Sequence, residues 1–194
     1  MVKNRPTVAL FGGSFDPPHK GHQAIIQHLA ALDDIDHVIV MPAFLNPFKT
    51  ESLASPDRRL SWCREVCQGE KIIVSDFEIS CDRPVYTIET LRMLQQHYAV
   101  KYLVIGSDNL AALAQWQAFE EINEVITWLV FTREDEQPDC SLLRHCRVIL
   151  LDIPVSSTMI REGSDLSSVD PRILDDVKQC IDNKKEKNDN QRES

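Results

Sequence analysis

The sequence predicts one α/β domain built on a central parallel sheet with helices on both faces. Six short runs rich in β-branched and apolar residues recur along the 194 residues, and helix-like segments separate most of them. Such alternation is typical of parallel strands joined by right-handed crossovers. A chain of this length buries roughly 70% of the surface that its unfolded form exposes, which is enough for a stable core. The predicted strands are residues 7–11, 37–41, 72–75, 102–105, 127–132 and 148–151.

Local signals support the helices between these strands. Ser55 is a suitable N-cap, and Pro56 and Asp57 follow it as a first-turn proline and a first-turn acid. A second helix is predicted to open at Asp170-Pro171, because apolar residues then recur at helical spacing. The residues that share its apolar face are Ile173, Leu174, Val177 and Ile181.

Two segments interrupt the alternation, residues 42–54 and 76–86, and each contains proline or polar residues directly after a predicted strand. They are therefore expected at the C-terminal ends of strands, where open α/β sheets bind ligands. Residues 133–145 are polar and predict a flexible loop. The last segment has no apolar side chain, so we expect a single domain at 1–183 and a disordered tail at 184–194.

The composition limits the classes of partner. A formal net charge of -9 argues against a broad nucleic-acid surface, which needs many phosphate-neutralising lysines and arginines. The N-terminal sequence lacks an apolar signal region, and no apolar stretch approaches the roughly 20 residues that span a bilayer. We therefore expect a cytoplasmic protein that contacts neither nucleic acid nor membrane.

The cysteines do not predict a metal site. The chain has six of them, with no CxxC pair and no Cys/His group at zinc-finger spacing. We interpret them as reduced, mostly buried thiols.

The sequence GGSFDPPHKGH, which runs from Gly12 to His22, follows the first predicted strand and precedes the helix predicted at 23–31. A glycine-rich turn that enters a helix exposes backbone amides to an anion. His19 and His22 stand three residues apart at the helix entrance, so both imidazoles can point to the same place. Taken alone, an HxxH pair also fits a metal site or two surface histidines.

A second sequence, VSSTMIR at 155–161, follows the last predicted strand and starts a short helix. The hydroxyls of Ser157 and Thr158, with the helix amides, suit phosphate oxygens, and Arg161 adds a permanent planar cation. Taken alone, the serines and threonine also fit an N-cap cluster.

Between these two sequences, Gly106-Ser107-Asp108 follows the strand predicted at 102–105. The glycine and the carboxylate therefore fall on the ligand-binding edge of the sheet. Asp108 also fits a plain N-cap of the helix predicted at 109–114, and Trp116 also fits the core.

The first sequence resembles the HxGH motif of the nucleotidyltransferase superfamily, and the second resembles the SSTxIR motif of the same superfamily. The resemblance runs from about Val8 to Ile181 and is closest to the bacterial nicotinate mononucleotide adenylyltransferases. Ser14 stands where many members have threonine, and Pro18 replaces a commoner isoleucine or valine. Phosphopantetheine adenylyltransferases usually have threonine where His19 stands, which argues against that sister family.

The resemblance implies a Rossmann-like nucleotidyltransferase fold and a set of site residues. It places Lys49, Thr87 and Trp116 at the pyridine mononucleotide. Lys49 and Arg133 also fit solvated loop charges, and Thr87 fits an N-cap of the helix predicted at 88–97. The residues implied in catalysis are His19, His22, Lys49 and Arg161. The residues implied in ATP binding are Gly12, Gly13, Ser14, Phe15, His19, His22, Gly106, Asp108, Arg133, Ser157, Thr158 and Arg161.

The resemblance further implies transfer of adenylate from ATP to nicotinate mononucleotide, with Mg²⁺ carried on ATP. No protein nucleophile is needed, since the 5′-phosphate of the acceptor attacks the α-phosphorus in line. The alternatives are the same reaction on nicotinamide mononucleotide and a non-catalytic nucleotide sensor on the same fold. A homo-oligomer is compatible with the sequence.

Overall fold

The computed structural model describes residues 5–45, 52–132, 137–151 and 157–192. Within them lies a six-stranded, all-parallel sheet in the order β3-β2-β1-β4-β5-β6. All six predicted strands are confirmed, although β1 runs two residues further than predicted and β4 begins three residues earlier. The strands are β1 (Thr7–Gly13), β2 (His37–Pro42), β3 (Ile72–Val74), β4 (Ala99–Gly106), β5 (Thr127–Thr132) and β6 (Cys146–Leu150).

Helices and short 3₁₀ turns connect the strands. The N-cap predicted at Ser55 is confirmed, because its hydroxyl accepts the backbone N–H of Arg58 at 3.3 Å. The 3₁₀ segments are Ser107–Gln115 and Leu166–Ser168. The helices are α1 (Lys20–Ala30), α2 (Pro56–Val66), α3 (Phe77–Ser80), α4 (Thr87–Leu94), α5 (Phe119–Val125), α6 (Ser157–Arg161) and α7 (Leu174–Arg192).

Helices cover both faces of the sheet, which confirms the predicted α/β architecture. The alternation along β1 shows this directly, since Ala9 and Phe11 belong to one buried cluster and Val8 and Leu10 to the other. The first cluster is closed by α1, α2 and α7, and the second by α4, α5 and the first 3₁₀ segment. Both clusters are contiguous apolar layers of the kind that stabilises such domains.

The C-terminal helix begins at Leu174, three residues after Pro171. Its first half is docked, with Val177 and Ile181 buried. The helix then continues to Arg192, through a segment for which the sequence predicts a disordered tail. Once the docked turns have formed, each further residue adds a backbone hydrogen bond without a new nucleation cost, and lysine, glutamate and glutamine are good helix formers.

The strand order locates the ligand-binding crevice. The order 3-2-1-4-5-6 makes β1 and β4 neighbours whose following helices leave to opposite faces of the sheet. In open α/β sheets, ligands bind beyond the C-terminal ends of the strands at this reversal. In the described part of the chain, no helix has the length and apolar character needed to cross a bilayer.

Candidate active site

The turn after β1 carries the first predicted motif to the crevice. Gly12 and Gly13 are the last residues of β1, paired with Met41 and Pro42 of β2. Phe15 follows with a φ of 48° and is only 1% exposed, so the turn folds around a buried ring. This ring packs edge-on against Phe11 with centroids 5.3 Å apart. The turn is therefore shaped by its own core before any ligand binds.

The two histidines meet at the start of α1. His19 is the N-cap residue and is 4% exposed, whereas His22 is half-buried one turn later. Their rings stack with centroids 3.8 Å apart and an interplanar angle of 29°. A Cβ at Gly21 would lie 3.0 Å from the His19 ring, so a glycine there makes room for this arrangement.

A backbone hydrogen bond determines which ring nitrogen of neutral His22 carries the proton. The backbone N–H of His19 donates to His22 Nδ1 at 3.2 Å. Because Nδ1 is the acceptor, the proton of neutral His22 resides on Nε2. His22 thus has an Nε2–H donor for an anionic oxygen.

Asp16 ties the motif to two other parts of the chain. Its carboxylate is 3% exposed and accepts the backbone N–H groups of Leu53 at 2.7 Å and Ala54 at 3.0 Å. Its carbonyl accepts Arg161 Nη1 at 3.2 Å. Asp16 has no role among the sequence predictions, although a carboxylate in the middle of the motif signals one.

Arg59 is a second residue that the sequence analysis missed. It is 1% exposed, and its guanidinium donates to four carbonyls, those of Ser14 (2.6 Å), Ala43 (2.7 Å), Phe44 (2.6 Å) and Ala54 (3.3 Å). Burial lowers the pKa of this guanidinium, against the opposing effect of the Asp16 charge. The arginine therefore joins the turn after β1 to both ends of the segment between β2 and α2.

A sequence signal for Arg59 exists in the periodicity of α2. The buried side chains Trp62, Cys63 and Val66 follow Arg59 at three, four and seven residues. This spacing places position 59 on the apolar face of the helix, where a charged side chain requires buried acceptors.

The second predicted motif lies against the first. Ser157 begins α6, and Arg161 at its end donates to Thr158 Oγ1 at 3.0 Å as well as to the Asp16 carbonyl. A cavity of about 220 Å³ adjoins this helix. Its lining includes two lysines of α7 that the sequence analysis assigned to no site; the lining residues are Thr158, Arg161, Glu162, Ile181, Lys184 and Lys185.

Gly106 is the last residue of β4, the strand that pairs with β1 and so lies next to the turn that carries the two histidines. A Cβ at this glycine would lie 2.4 Å from Asp108 Oδ1, so only glycine leaves room for the carboxylate as it stands. Asp108 is exposed and accepts Asn109 Nδ2 at 3.0 Å. The N-cap interpretation of Asp108 is wrong, because the 3₁₀ segment begins at Ser107 and Gly106 is its cap.

The proposed pyridine-binding residues stand at the ends of two helical segments. Trp116 follows the first 3₁₀ segment and is half-buried, with its ring edge-on to Trp128 at 6.0 Å. One part of its ring belongs to the core and another part is open. Thr87 is the first residue of α4, and the N-cap is Tyr86, whose N–H donates to Glu89 Oε1 at 3.0 Å. The alternative interpretation of Thr87 as the N-cap is therefore wrong by one residue.

The structure brings the two motifs into contact through Arg161 and the Asp16 carbonyl. Gly106 ends the strand next to β1, and Asp108 follows two residues later in the 3₁₀ segment. Lys49 and Arg133 lie outside the described residues, as do the first two residues of the second motif. Their roles stay predictions.

Comparison with known proteins identifies the family. The Cytidylyltransferase-like family model matches residues 10–163. A probable nicotinate-nucleotide adenylyltransferase of Sulfurovum sp. is 45% identical over 95% of this chain and 98% of its own length. A relative of the same name from Sulfurimonas denitrificans is 45% identical over 88% of this chain and 92% of its own length.

A solved structure has the same fold. The Plasmodium falciparum nicotinic acid mononucleotide adenylyltransferase complexed with NaAD matches with a TM-score of 0.72 at 19% identity, over 88% of this chain and 93% of that one. At this identity the likeness establishes the fold, whereas the curated relatives and the family model establish kinship. The chain therefore belongs to the Cytidylyltransferase-like family of nucleotidyltransferases and, within it, to the nicotinate-nucleotide adenylyltransferases.

Proposed function

We propose that this chain transfers the adenylate of ATP to nicotinate mononucleotide, giving nicotinate adenine dinucleotide and pyrophosphate. The observation that carries the proposal is the contact between both motifs, in which Arg161 donates to the Asp16 carbonyl at 3.2 Å, three residues before the first of the two stacked histidines. The curated relatives, which share up to 45% identity with this chain, carry the name of the same activity.

The site residues are proposed to act by holding the reacting phosphates in position and by stabilising their negative charge. In an in-line attack by the acceptor phosphate, negative charge accumulates on the departing pyrophosphate, and preorganised donors lower the barrier. We assign the Nε2–H of His22, the ring of His19 and the guanidinium of Arg161 to that charge. The backbone from Gly12 to Phe15 faces the α-phosphate in this proposal, and Lys49 assists at the reacting phosphates.

ATP is bound by the remaining elements of the crevice. Ser157 and Thr158 at the start of α6 offer hydroxyls to phosphate oxygens, while Asp108, two residues after β4, suits the ribose hydroxyls. We assign Arg133 to the adenosine. Each assignment follows the family resemblance. The positions of α6 and Asp108 support those of Ser157, Thr158 and Asp108, since α6 contacts the turn after β1 and Asp108 follows the neighbouring strand β4.

Mg²⁺ is proposed to arrive with ATP, because it usually keeps several waters and binds substrate phosphates with one or two carboxylates. The Asp16 carboxylate already accepts two backbone amides and Asp108 is assigned to the ribose, so the triphosphate and water would supply most ligands of the ion. When bound, the ion would neutralise part of the triphosphate charge.

The acceptor is proposed to be the acid rather than the amide. The N-terminus of α4 at Thr87 presents N–H donors, which suit both oxygens of a carboxylate but oppose the NH₂ of an amide. Such a mismatch costs about 1–3 kcal/mol, or roughly 10- to 100-fold in kcat/KM. The open part of the Trp116 ring would stack on the pyridine of either acceptor.

The experiment is pyrophosphate release from Mg-ATP with nicotinate mononucleotide, nicotinamide mononucleotide and phosphopantetheine. We expect the highest kcat/KM with the first. Equal or higher kcat/KM with the amide would reject the selectivity, and the absence of pyrophosphate release with every acceptor would favour a sensor. We propose that the protein acts in the cytoplasm and binds small molecules alone. Sedimentation velocity would measure whether it self-associates.

A further inference from the structure

Two half-buried cysteines meet at the edge of the sheet opposite the crevice. Cys146 Sγ donates a hydrogen bond to Cys140 Sγ over 3.1 Å. Cys146 is the first residue of β6 and pairs with Trp128 near the start of β5. Cys140 opens a turn that closes where the N–H of Leu143 donates to the Cys140 carbonyl at 2.8 Å. The sulfur contact therefore joins this turn to the last strand.

The turn is held in place by groups other than the sulfurs. Asn123 Nδ2 donates to the Leu142 carbonyl at 2.9 Å, and Asn123 Oδ1 accepts the Arg144 N–H at 3.0 Å. The same oxygen accepts Trp128 Nε1 at 2.9 Å, which fixes the asparagine against the core. The fold thus presents the two thiols to each other. A disulfide needs an S–S separation of about 2.05 Å, which from 3.1 Å requires a small movement.

The surroundings admit a small reagent. Ser141, Leu142, Arg144 and His145 between the two cysteines are exposed, whereas Cys63, Cys67 and Cys180 elsewhere in the chain are buried. A tetrahedral zinc site would need four ligands, and among the described residues no cluster of three or more His, Cys, Asp or Glu side chains is suited to a metal. The pair is suited to thiol chemistry.

We propose that Cys140 and Cys146 form a reversible disulfide when the thiol pool is oxidised, with glutathione disulfide as the oxidant. The Cys140 thiolate attacks one sulfur of glutathione disulfide, which forms a mixed disulfide and releases one glutathione thiolate. That thiolate takes the proton of Cys146, whose sulfur then attacks Cys140 Sγ and releases the second glutathione as a thiolate, which takes up the proton that Cys140 had lost to solvent. In sum, the two protein thiols lose two hydrogens and one glutathione disulfide becomes two glutathione thiols.

The electrostatics set the order of these steps. Burial raises the pKa of Cys146 to about 12, and its hydrogen bond to Cys140 adds to the effect. Cys146 therefore keeps its proton at neutral pH, and Cys140, the acceptor of that proton's hydrogen bond, is the sulfur that attacks first.

The test is peptide mapping of the full folded chain after incubation with glutathione disulfide, acid quench, alkylation in denaturant and trypsin digestion without reduction. Trypsin cleaves after Arg144, so the disulfide links two separate peptides, residues 134–144 and 145–147. We expect this cross-linked species to form and to disappear with dithiothreitol. Separate glutathione adducts on Cys140 and Cys146, or two alkylated thiols, would overturn the proposal.

Variants give the control. Cys140→Ser and Cys146→Ser should each abolish the cross-linked species, while Cys81→Ser, at a half-buried cysteine elsewhere, should leave it unchanged. In the parent chain, closing this short loop should raise Tm by about 5 °C, by the loop-entropy relation and the usual size dependence of Tm. The shift should be absent in Cys146→Ser, and an equal shift in that variant would contradict a disulfide as its cause.

Discussion

Glu78 provides a stability prediction that is separable from catalysis. This glutamate lies on α3, is 8% exposed and accepts Thr90 Oγ1 of α4 at 2.6 Å. Burial raises its pKa from 4.5 to about 7, with the Thr90 hydrogen bond opposing the shift and the Glu89 charge adding to it. The folded chain therefore holds a proton on Glu78 in a pH range where the unfolded chain has lost it.

The direction of the pH dependence follows from this proton. Between pH 4.5 and about 7 the folded state binds more protons than the unfolded state, so the free energy of unfolding falls as pH rises. Above that range the cost of the buried carboxylate is fully present. A pKa shift of this size lowers the free energy of unfolding by about 3 kcal/mol at pH 8 and by about 1 kcal/mol at pH 5, since one pKa unit is about 1.4 kcal/mol.

Glu78→Gln removes the titrating group and keeps an acceptor for Thr90. The free energy of unfolding of the variant minus that of the parent should therefore grow by about 2 kcal/mol from pH 5 to pH 8. Urea unfolding followed by circular dichroism measures it, and taking the difference cancels any pH-independent effect of the substitution. Glu70→Gln, at an exposed carboxylate, is the matched control and should show no such growth. A difference that stays constant or shrinks with rising pH would refute the reasoning.

Three further predictions concern the site and the tail. His22→Ala should lower kcat by about 100-fold in a folded protein, whereas His28→Ala, at an exposed position of the same helix, should not; parent-like turnover of the first variant excludes His22 from the mechanism. Arg59→Met should lower the free energy of unfolding by about 3–5 kcal/mol, because four buried or part-buried carbonyls lose their donor, and a loss below about 1 kcal/mol in urea unfolding would contradict that role. Truncation after Glu186 removes only polar residues and should leave Tm and turnover unchanged, whereas a drop in either would show that this end docks.

The sheet was predictable because its signals are local. Each strand is a short run of β-branched and apolar residues, and a parallel sheet buried on both faces produces such runs. The helix start at Ser55 was predictable for the same reason, since the cap, the proline and the acid are adjacent in sequence. The motif residues could be predicted by family resemblance. In the structure the two motifs are in contact, because Arg161 donates to the Asp16 carbonyl, and the roles of their residues stay predictions.

The errors arise where local signals compete or where the partner is distant. Thr87 and Asp108 are good N-cap residues, yet each helical segment starts one or two residues earlier than their caps would allow. Arg59 finds its carbonyl partners 5 to 45 residues away in sequence, so no local pattern shows what satisfies its charge. The last turns of α7 depend on the docking of its first half, which composition alone does not reveal.

The contacts of Arg59 and Asp16 hold both ends of the segment between β2 and α2, so the length of the segment between these ends can vary. Its near end is fixed at Ala43 and Phe44 and its far end at Leu53 and Ala54, and both ends are fastened to the histidine turn or to the arginine that holds it. A change of length between these anchors costs little loop-closure free energy, and the anchor contacts themselves do not depend on the residues between them. A change of length in this segment would therefore act on the phosphate chemistry through the residue proposed at position 49, while the turn that carries the two histidines keeps its anchors.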